Sequence, residues 1–375
     1  MSSCYKITVD KAIPFAEQLF GELGEVTLVP ADSICNAGLK QTDALIIRSV
    51  TQVDESLLKN TPVSFVGSAT IGTEHLDKDW LESQSIHWCA SPGCNAVAVV
   101  QYVMSGISYW LNAHQLTLDD VCVGIVGYGA IGSRLAKLLS YLGIESLLCD
   151  PPKQATGELV NSHSLEQLTE QCNVISFHTP LTTTGPHATY QFINHGFFNR
   201  VDCQAAKLII NAARGNILDN EAAIKWCDKG GDLMLDVWPN EPAIDDSLLS
   251  KVMLGTSHIA GYSLEGKFNA SYQIYRQLAQ VLGKTNIVSR EKLERELLPE
   301  PSLVTLGSGT SLTSLFLSSY DIVSDYQILK EVYQQKGASG FKFAREFYNF
   351  RREFKGQQWS GKSAFTELKS FLDNL

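Results

Sequence analysis

The chain has 375 residues, of which 44% are hydrophobic and 19% charged, and its formal net charge is −10. This length predicts two or three domains, each able to bury a core of its own. The acidic balance argues against a nucleic-acid-binding protein, so an anionic substrate would need a local group of cations. The sequence has no apolar run long enough for a membrane span and no signal-like start, which favours a cytoplasmic protein without membrane partners.

The cysteines are scattered along the chain. There are nine of them, none spaced as CxxC, and none follows Cys227. This pattern favours buried free thiols in a reducing compartment over disulfides. It predicts no metal site.

The first 95 residues alternate short apolar runs with helix-like stretches, which predicts a small parallel α/β sheet. The candidate strands cover 5–9, 26–29, 44–47, 63–66 and 86–89. Ligands of such sheets gather at the carboxyl ends of the strands. Arg48, Ser49 and Thr70 stand at two of these ends and could line a site for a carboxylate or phosphate. Turn formation alone would also explain Ser49 and Thr70.

A long apolar helix is predicted over 95–113, capped by Asn95. The chain then reaches a strand at 121–126 and three glycines, Gly127, Gly129 and Gly132, that open another helix. This order fits a dinucleotide site, in which the glycines permit a tight turn, the approach of a pyrophosphate and close helix packing.

Asp150 follows the next apolar run at the spacing where an acid accepts hydrogen bonds from an adenosine ribose. A carboxylate there repels a 2′-phosphate, which favours NAD over NADP. The alternative is a tight strand–turn–helix connection that binds nothing.

Further strands are predicted at 174–177, 208–211, 233–237 and 252–254, followed by a helix over 264–282. If this helix packs back on the first sheet, the chain crosses between domains twice and the catalytic cleft lies at the hinge. A boundary is placed within 284–310, where charges, prolines and small residues cluster.

The remaining tail is locally basic, and two helices are predicted in it, near 312–332 and 341–354. Phenylalanines recur at helical spacing in the second, which predicts one buried aromatic face for packing or dimerisation. These are Phe343, Phe347, Phe350 and Phe354. A basic aromatic tail could also suggest nucleic acid, but residues on one buried face would be inaccessible to it.

Three residues beyond the glycine motif could carry the oxidation of an alcohol, and each follows a predicted strand. Arg214 can hold a carboxylate through its planar fork of donors. If Glu241 and His258 meet in space, the carboxylate fixes the tautomer of the imidazole and stabilises its charged form. His258 could then take the hydroxyl proton. Taken singly, each residue could equally be structural.

Several motifs together resemble the D-isomer-specific 2-hydroxyacid dehydrogenases. They are VGIVGYGAIG, FHTPLT, INAARG, LDVWPNEP and SHIAGYSLEGK, and the resemblance is dense up to about residue 282. It implies an α/β fold with two doubly wound domains that contain parallel sheets. These are a flavodoxin-like substrate-binding domain (1–94 and 262–285) and a Rossmann NAD-binding domain (95–261). A small α+β C-terminal dimerisation domain (286–375) follows.

The resemblance also implies roles for residues. Arg214, Glu241 and His258 would be catalytic, and Ser49, Thr70 and Tyr262 would contact the substrate. The implied NAD contacts are Gly127, Gly129, Ala130, Ile131, Gly132, Asp150, Thr179, Ala212, Ala213, Arg214, Asp236 and Gly261.

The implied reaction is the NAD-dependent oxidation of 4-phospho-D-erythronate on the route to pyridoxal 5′-phosphate, by a homodimer. We assign Arg48 and Tyr262 to the substrate phosphate, with Lys267 as a further candidate. The alternatives are oxidation of another phosphorylated hydroxyacid such as 3-phosphoglycerate, and a non-enzymatic NAD-sensing corepressor on the same fold.

Overall fold

A computed structural model describes residues 4–202, 205–307, 309–360 and 365–375. The chain forms two compact units, each built from two stretches of sequence. The first unit comprises Met1–Asn95 and Ser263–Glu300, and the second comprises Ala96–Tyr262 and Pro301–Leu375.

Strands and helices alternate through most of the chain. The strands are β1 (Lys6–Asp10), β2 (Glu25–Val29), β3 (Ala44–Ile47), β4 (Phe65–Ser68), β5 (His87–Cys89), β6 (Cys122–Val126), β7 (Glu145–Cys149), β8 (Val174–Phe177), β9 (Leu208–Asn211), β10 (Asp232–Leu235), β11 (Leu254–Gly255), β12 (Ser302–Thr305) and β13 (Gln357–Ser360). The α-helices are α1 (Ala16–Phe20), α2 (Glu55–Leu58), α3 (Lys78–Ser83), α4 (Ala96–His114), α5 (Ala130–Tyr141), α6 (Pro151–Thr156), α7 (Leu165–Gln171), α8 (His195–Phe198), α9 (Asn220–Asp228), α10 (Asp246–Lys251), α11 (Leu264–Val281), α12 (Arg290–Leu297), α13 (Leu312–Ser319), α14 (Ile322–Lys336), α15 (Ala338–Glu346) and α16 (Thr366–Asp373).

The first unit is a parallel five-stranded sheet in the order β2-β1-β3-β4-β5. This is the flavodoxin-like order expected from the sequence. Strands β3 and β4 are buried along their whole length because helices cover both faces. One face packs on α1, α11 and α12, whose buried residues include Leu19, Phe268 and Leu293. The other packs on α2 and α3.

The second unit contains a parallel six-stranded sheet in the order β11-β10-β9-β8-β6-β7. The chain moves from β6 outward to β7 and then returns to the other side of β6 with β8. In open α/β sheets, ligands bind outside the carboxyl ends of the strands at such a switch point. Helices α4 and α5 cover one face, and α7 to α10 cover the other.

The C-terminal stretch of this unit pairs β12 with β13 in parallel and packs α13 and the start of α14 beside α4. Leu315, Phe316 and Ile322 join the core around α4, which explains why that helix is buried on nearly every side. Within the described ranges, no helix combines the length and apolar character required to cross a bilayer.

The predicted fold class is confirmed, and the strand predictions agree with the structure to within two residues at each end. The division into substrate-binding, NAD-binding and dimerisation domains remains a prediction of roles.

The residue ranges predicted for the two helices in the tail are wrong. The first is divided at Tyr320, which is extended, and Asp321 then caps α14 by accepting a hydrogen bond from the Ser324 amide at 3.1 Å. The second ends at Glu346, so the phenylalanines beyond it leave the helical register.

The prediction that the four phenylalanines share one helical face is therefore also wrong. Phe343 and Phe347 are 42% and 67% exposed, and their rings contact each other at a centroid distance of 4.7 Å. Only Phe354 of the predicted stripe is fully buried, and it lies in a short 3₁₀ turn.

Candidate active site

The carboxyl ends of the strands in the second sheet lie level with one another. Cys149, Val126, Phe177, Asn211, Leu235 and Gly255 are aligned by the pairing of neighbouring strands. The residues that follow this row include every cofactor-binding and catalytic candidate of the sequence analysis. The sheet therefore brings segments far apart in sequence to one edge.

The glycine turn after β6 packs tightly against the backbone around it. Gly127 has a φ of +96°, and a Cβ there would lie 2.8 Å from the His178 carbonyl group. A Cβ at Gly132 would overlap the Gly127 carbonyl oxygen, so only glycine lets α5 pack this closely.

Gly129 differs from its neighbours, because a Cβ there would meet no atom within 4 Å. The space beside it is open where Ala130 and Ile131 begin α5. The first amides of a helix have no partners within the helix and favour an anion. The conformation of Gly127 and the close packing at Gly132 are compatible with a dinucleotide site, and the contacts of the three glycines with NAD remain predictions.

Asp150 links the end of β7 to the glycine turn. One carboxylate oxygen accepts a hydrogen bond from the Tyr128 amide at 2.7 Å, and the other accepts one from the Lys153 amide at 3.0 Å. Each oxygen keeps a second lone pair. Asp150 is thereby held in place and can still accept a hydrogen bond from a ribose hydroxyl group. Its role in NAD binding remains a prediction.

Two polar atoms after β8 lack a partner. Thr179 Oγ1 and His178 Nδ1 are buried and form no hydrogen bond with any described residue. Burial lowers the pKa of His178 to about 3, so the imidazole is neutral. Buried polar atoms are nearly always paired in folded proteins. These two unpaired polar atoms belong to residues that adjoin the glycine turn at Gly127, where they fit a bound dinucleotide.

Asp236 organises the loop that follows β11. Its Oδ1 accepts hydrogen bonds from the Thr256 hydroxyl and the Ile259 amide, both at 2.7 Å. Its carbonyl accepts one from the His258 amide at 2.8 Å, and this bond fixes a backbone that would otherwise be unfavourable, since His258 has a φ of +61°. Asp236 is 2% exposed and its contacts are with the protein. Its predicted contact with NAD therefore remains a prediction.

The loops after β10 and β11 bring Glu241 and His258 together. Glu241 Oε2 lies 2.8 Å from His258 Nδ1, and Oε1 accepts a hydrogen bond from the Trp238 amide at 2.7 Å. Burial acts to raise the pKa of Glu241. Four interactions outweigh it and hold that pKa below its ordinary value: the hydrogen bond with His258, the charge of His258, the hydrogen bond from the Trp238 amide and the charge of Arg345. Glu241 is therefore a carboxylate, and it orients the imidazole through Nδ1.

Arg214 follows β9, the strand beside β10. Its carbonyl accepts a hydrogen bond from the Asn211 amide group at 3.0 Å, and its Nη1 donates to the Ala213 carbonyl at 2.9 Å. Ala212 and Ala213 are buried. The structure thus places Arg214 at the same edge of the sheet as the Glu241–His258 pair.

The loop containing Gly261 and Tyr262 is held by Arg351, a residue that the sequence analysis missed. Its guanidinium donates to the carbonyls of Ile259 at 3.0 Å, Tyr262 at 3.2 Å and Ala98 at 2.9 Å, and also to that of Ala260. The same guanidinium lies 4.2 Å from the Tyr320 ring centroid. The local excess of basic residues in the tail was the one sequence signal that could have drawn attention to it.

The substrate candidates of the first unit lie at the carboxyl edge of the first sheet. Ile47 pairs with Ser68, so Arg48 and Ser49 emerge beside Thr70. Ser49 is exposed, and the Thr70 hydroxyl lies 2.7 Å from that of Ser68. Arg48 donates through Nε to Asp10 at 2.7 Å, and Asp10 is fully buried.

This ion pair matters for the predicted phosphate role of Arg48, because its charge is already balanced by Asp10. Lys267 lies in α11 and is half-buried. The roles of Arg48, Ser49, Thr70 and Lys267 toward the substrate remain predictions.

Comparison with known proteins assigns the class. Residues 100–260 match the model of the D-isomer specific 2-hydroxyacid dehydrogenase NAD binding domain. The structure is similar to that of 3-phosphoglycerate dehydrogenase from Entamoeba histolytica bound to NAD⁺, with a TM-score of 0.62 and 22% identity over 77% of this chain and 99% of the other. It is also similar to D-lactate dehydrogenase from Aquifex aeolicus, with a TM-score of 0.57 and 20% identity over 79% of this chain and 100% of the other. At these identities the likeness concerns the fold.

Sequence relatives narrow the assignment. Erythronate-4-phosphate dehydrogenase of Proteus mirabilis is 41% identical over 94% of both chains, and that of Photorhabdus laumondii is 41% identical over 93% of both. The chain belongs to the erythronate-4-phosphate dehydrogenase family of the D-isomer specific 2-hydroxyacid dehydrogenases. The expected NAD-dependent dehydrogenase class and its cofactor, NAD, are thereby confirmed.

Proposed function

We propose that this chain oxidises 4-phospho-D-erythronate at C2 to 2-oxo-3-hydroxy-4-phosphobutanoate, a step of pyridoxal 5′-phosphate biosynthesis. The observation that carries the proposal is the Glu241–His258 pair, at 2.8 Å, on the edge of the sheet that bears the dinucleotide turn. The similarity to erythronate-4-phosphate dehydrogenases over nearly the whole chain supports the choice of substrate.

The chemistry divides among three side chains. His258, held through Nδ1, takes the proton of the C2 hydroxyl on Nε2, and Glu241 stabilises the imidazolium that forms. Arg214 binds the substrate carboxylate next to the reacting carbon. When bound, NAD supplies the acceptor for the C2 hydride. Loss of one proton and one hydride converts the alcohol to the ketone.

The test is a comparison of substrates. Purified full-length protein is mixed with NAD and 4-phospho-D-erythronate, 3-phospho-D-glycerate, D-erythronate or D-lactate, and NADH is followed by absorbance. We expect 4-phospho-D-erythronate to give the highest kcat/KM. A higher value with 3-phospho-D-glycerate would favour the alternative dehydrogenase. NAD binding without turnover of any substrate would favour the corepressor alternative.

We also propose that the protein works as a homodimer through its C-terminal segment. Phe343 and Phe347 support this, because two adjacent exposed phenylalanines form an apolar patch of the kind found at protein interfaces. Sedimentation equilibrium of the full chain measures the mass directly.

A cytoplasmic location is proposed on the state of the cysteines. Cys122 and Cys172 are buried with their Sγ atoms 3.4 Å apart, yet both are free thiols. Scattered cysteines without CxxC spacing are typical of proteins in a reducing compartment.

A further inference from the structure

We propose that Arg345, in helix α15 of the C-terminal segment, binds the phosphate group of the substrate beside Tyr262. This inference rests on the proposed function and deepens it, because it names a residue that selects phosphorylated hydroxyacids. Arg345 is not among the residues predicted from the sequence to bind the phosphate, which are Arg48, Tyr262 and Lys267.

Arg345 is oriented toward the catalytic loop by Tyr262. Its Nε donates a hydrogen bond to the Tyr262 hydroxyl at 2.9 Å, and its guanidinium carbon lies 5.6 Å from the centroid of the same ring. The Tyr262 ring is in turn packed against Tyr348 and Phe350, at centroid distances of 6.2 and 6.0 Å. The direction of the guanidinium is therefore fixed before any substrate arrives.

The two remaining nitrogens of this guanidinium are available to a ligand. No described residue accepts a hydrogen bond from Nη1 or Nη2 of Arg345, and no described carboxylate forms an ion pair with it. The side chain is only partly exposed. A guanidinium with two parallel donors matches the oxygens of a phosphate, to which arginine binds in a bidentate manner.

The charge of Arg345 acts at the catalytic pair. Burial raises the pKa of Glu241, and the hydrogen bond and charge of His258 and the Trp238 amide lower it. The positive charge of Arg345 also lowers this pKa. Arg345 contacts the segment that follows His258 through its hydrogen bond to Tyr262. A substrate whose C2 hydroxyl faces His258 could extend its far end to such a cation.

Arg48 is the less suitable partner for a phosphate. Its Nε is paired with Asp10 at 2.7 Å, and Asp10 is inaccessible to solvent. A phosphate at Arg48 would compete with Asp10 for the guanidinium. Separating the pair would leave a buried carboxylate without its cation, which is costly. Arg345 forms no ion pair with a carboxylate of any described residue.

The position of Arg345 in the chain also fits a role in specificity. The two solved dehydrogenase structures cover 77% and 79% of this chain with nearly all of their own length, whereas the similarity to erythronate-4-phosphate dehydrogenases extends over 94% of the chain. A cation supplied by the C-terminal segment would distinguish this substrate class from hydroxyacids without a phosphate.

The test compares Arg345→Gln with Lys342→Gln, which removes a positive charge from an exposed position of the same helix. Both variants are assayed with 4-phospho-D-erythronate and with unphosphorylated D-erythronate. We expect Arg345→Gln to lower kcat/KM for the phosphorylated substrate by about 10- to 100-fold, the effect of losing charge-assisted hydrogen bonds. Arg345→Gln should lower kcat/KM for D-erythronate less than for the phosphorylated substrate, and both values for Lys342→Gln should stay within about threefold of wild type.

Equal losses of Arg345→Gln on both substrates would overturn the proposal, since that result is expected if Arg345 only supports Tyr262. A calorimetric titration of the NAD-loaded protein with inorganic phosphate separates this inference from the proposed function. Wild type should bind phosphate at least about tenfold more tightly than Arg345→Gln, whichever hydroxyacid the enzyme prefers. Equal binding by the two proteins, or none by either, would refute the subsite.

Discussion

Replacing Glu241 by glutamine tests the catalytic pair with a minimal change of shape. Glu241 accepts two hydrogen bonds, one from the Trp238 amide at 2.7 Å and one shared with His258 Nδ1 at 2.8 Å. Glutamine has a single oxygen for these two donors. If that oxygen stays on Trp238, the amide NH₂ faces Nδ1 and the imidazole proton moves to Nε2. His258 could then no longer accept the hydroxyl proton.

The size of the effect follows from the lost charge. A hydrogen bond to a charged group contributes about 1.5–3 kcal/mol, and each step of about 1.36 kcal/mol corresponds to a factor of ten in rate. The side chains of His258 and Glu241 are 33% and 20% exposed, so water weakens their interaction. Replacement of the orienting aspartate in a Ser-His-Asp triad costs about 10⁴ in kcat. We expect Glu241→Gln to lower kcat by about 10²–10³.

The assay is the kcat for oxidation of 4-phospho-D-erythronate at saturating NAD. Glu241→Asp, which keeps the charge, is the matched control and should retain more activity than Glu241→Gln. In a His258→Ala background, Glu241→Gln should have little further effect, because the two residues act as one unit. A kcat of Glu241→Gln within about threefold of wild type would refute the assigned role of the pair.

Three further results are expected. His258→Ala should lower kcat by at least about 100-fold while NAD binding, measured by fluorescence titration, is unchanged; a near-normal rate would rule out His258 as the base. Gly132→Ala should destabilise the protein in a thermal melt, because its Cβ would overlap the Gly127 carbonyl oxygen, whereas Gly129→Ala should keep the stability and weaken NAD binding; the reverse order would contradict the assigned glycine roles. The lowered pKa of Glu241 stabilises the fold above the ordinary pKa of glutamate, so this stability should be lost as pH falls through the lowered value. A Glu241→Gln variant should show a smaller loss of stability over the same acid range.

The parallel sheets could be predicted from the sequence because each strand is short, apolar and bounded by polar turns. Strands β3, β8 and β9 were predicted with the same bounds as the structure gives. The candidate residues at strand ends followed from topology, since parallel strands place their carboxyl ends at one edge. Glu241 and His258 lie close together for this reason, but the hydrogen bond between them is seen only in the folded structure.

The tail could not be predicted in the same way. Helical spacing of phenylalanines indicates a common face only while the helix continues, and α15 ends at Glu346. Nothing local in the sequence marks that end. Arg345 and Arg351 escaped notice because their partners lie far away in the sequence, at Tyr262 and in the loop from Ile259. Tertiary contacts of single side chains leave no periodic pattern.

The hydrogen bonds from Arg351 to the loop after His258 have a consequence for synthesis of the enzyme. Ribosomes make a chain from its N-terminus, so the guanidinium that holds the carbonyls of Ile259 and Tyr262 emerges after all strands of both large sheets. A nascent chain that already carries both complete sheets still lacks this support. Catalytic competence should therefore arise only after synthesis has passed Arg351, which keeps shorter nascent chains inactive.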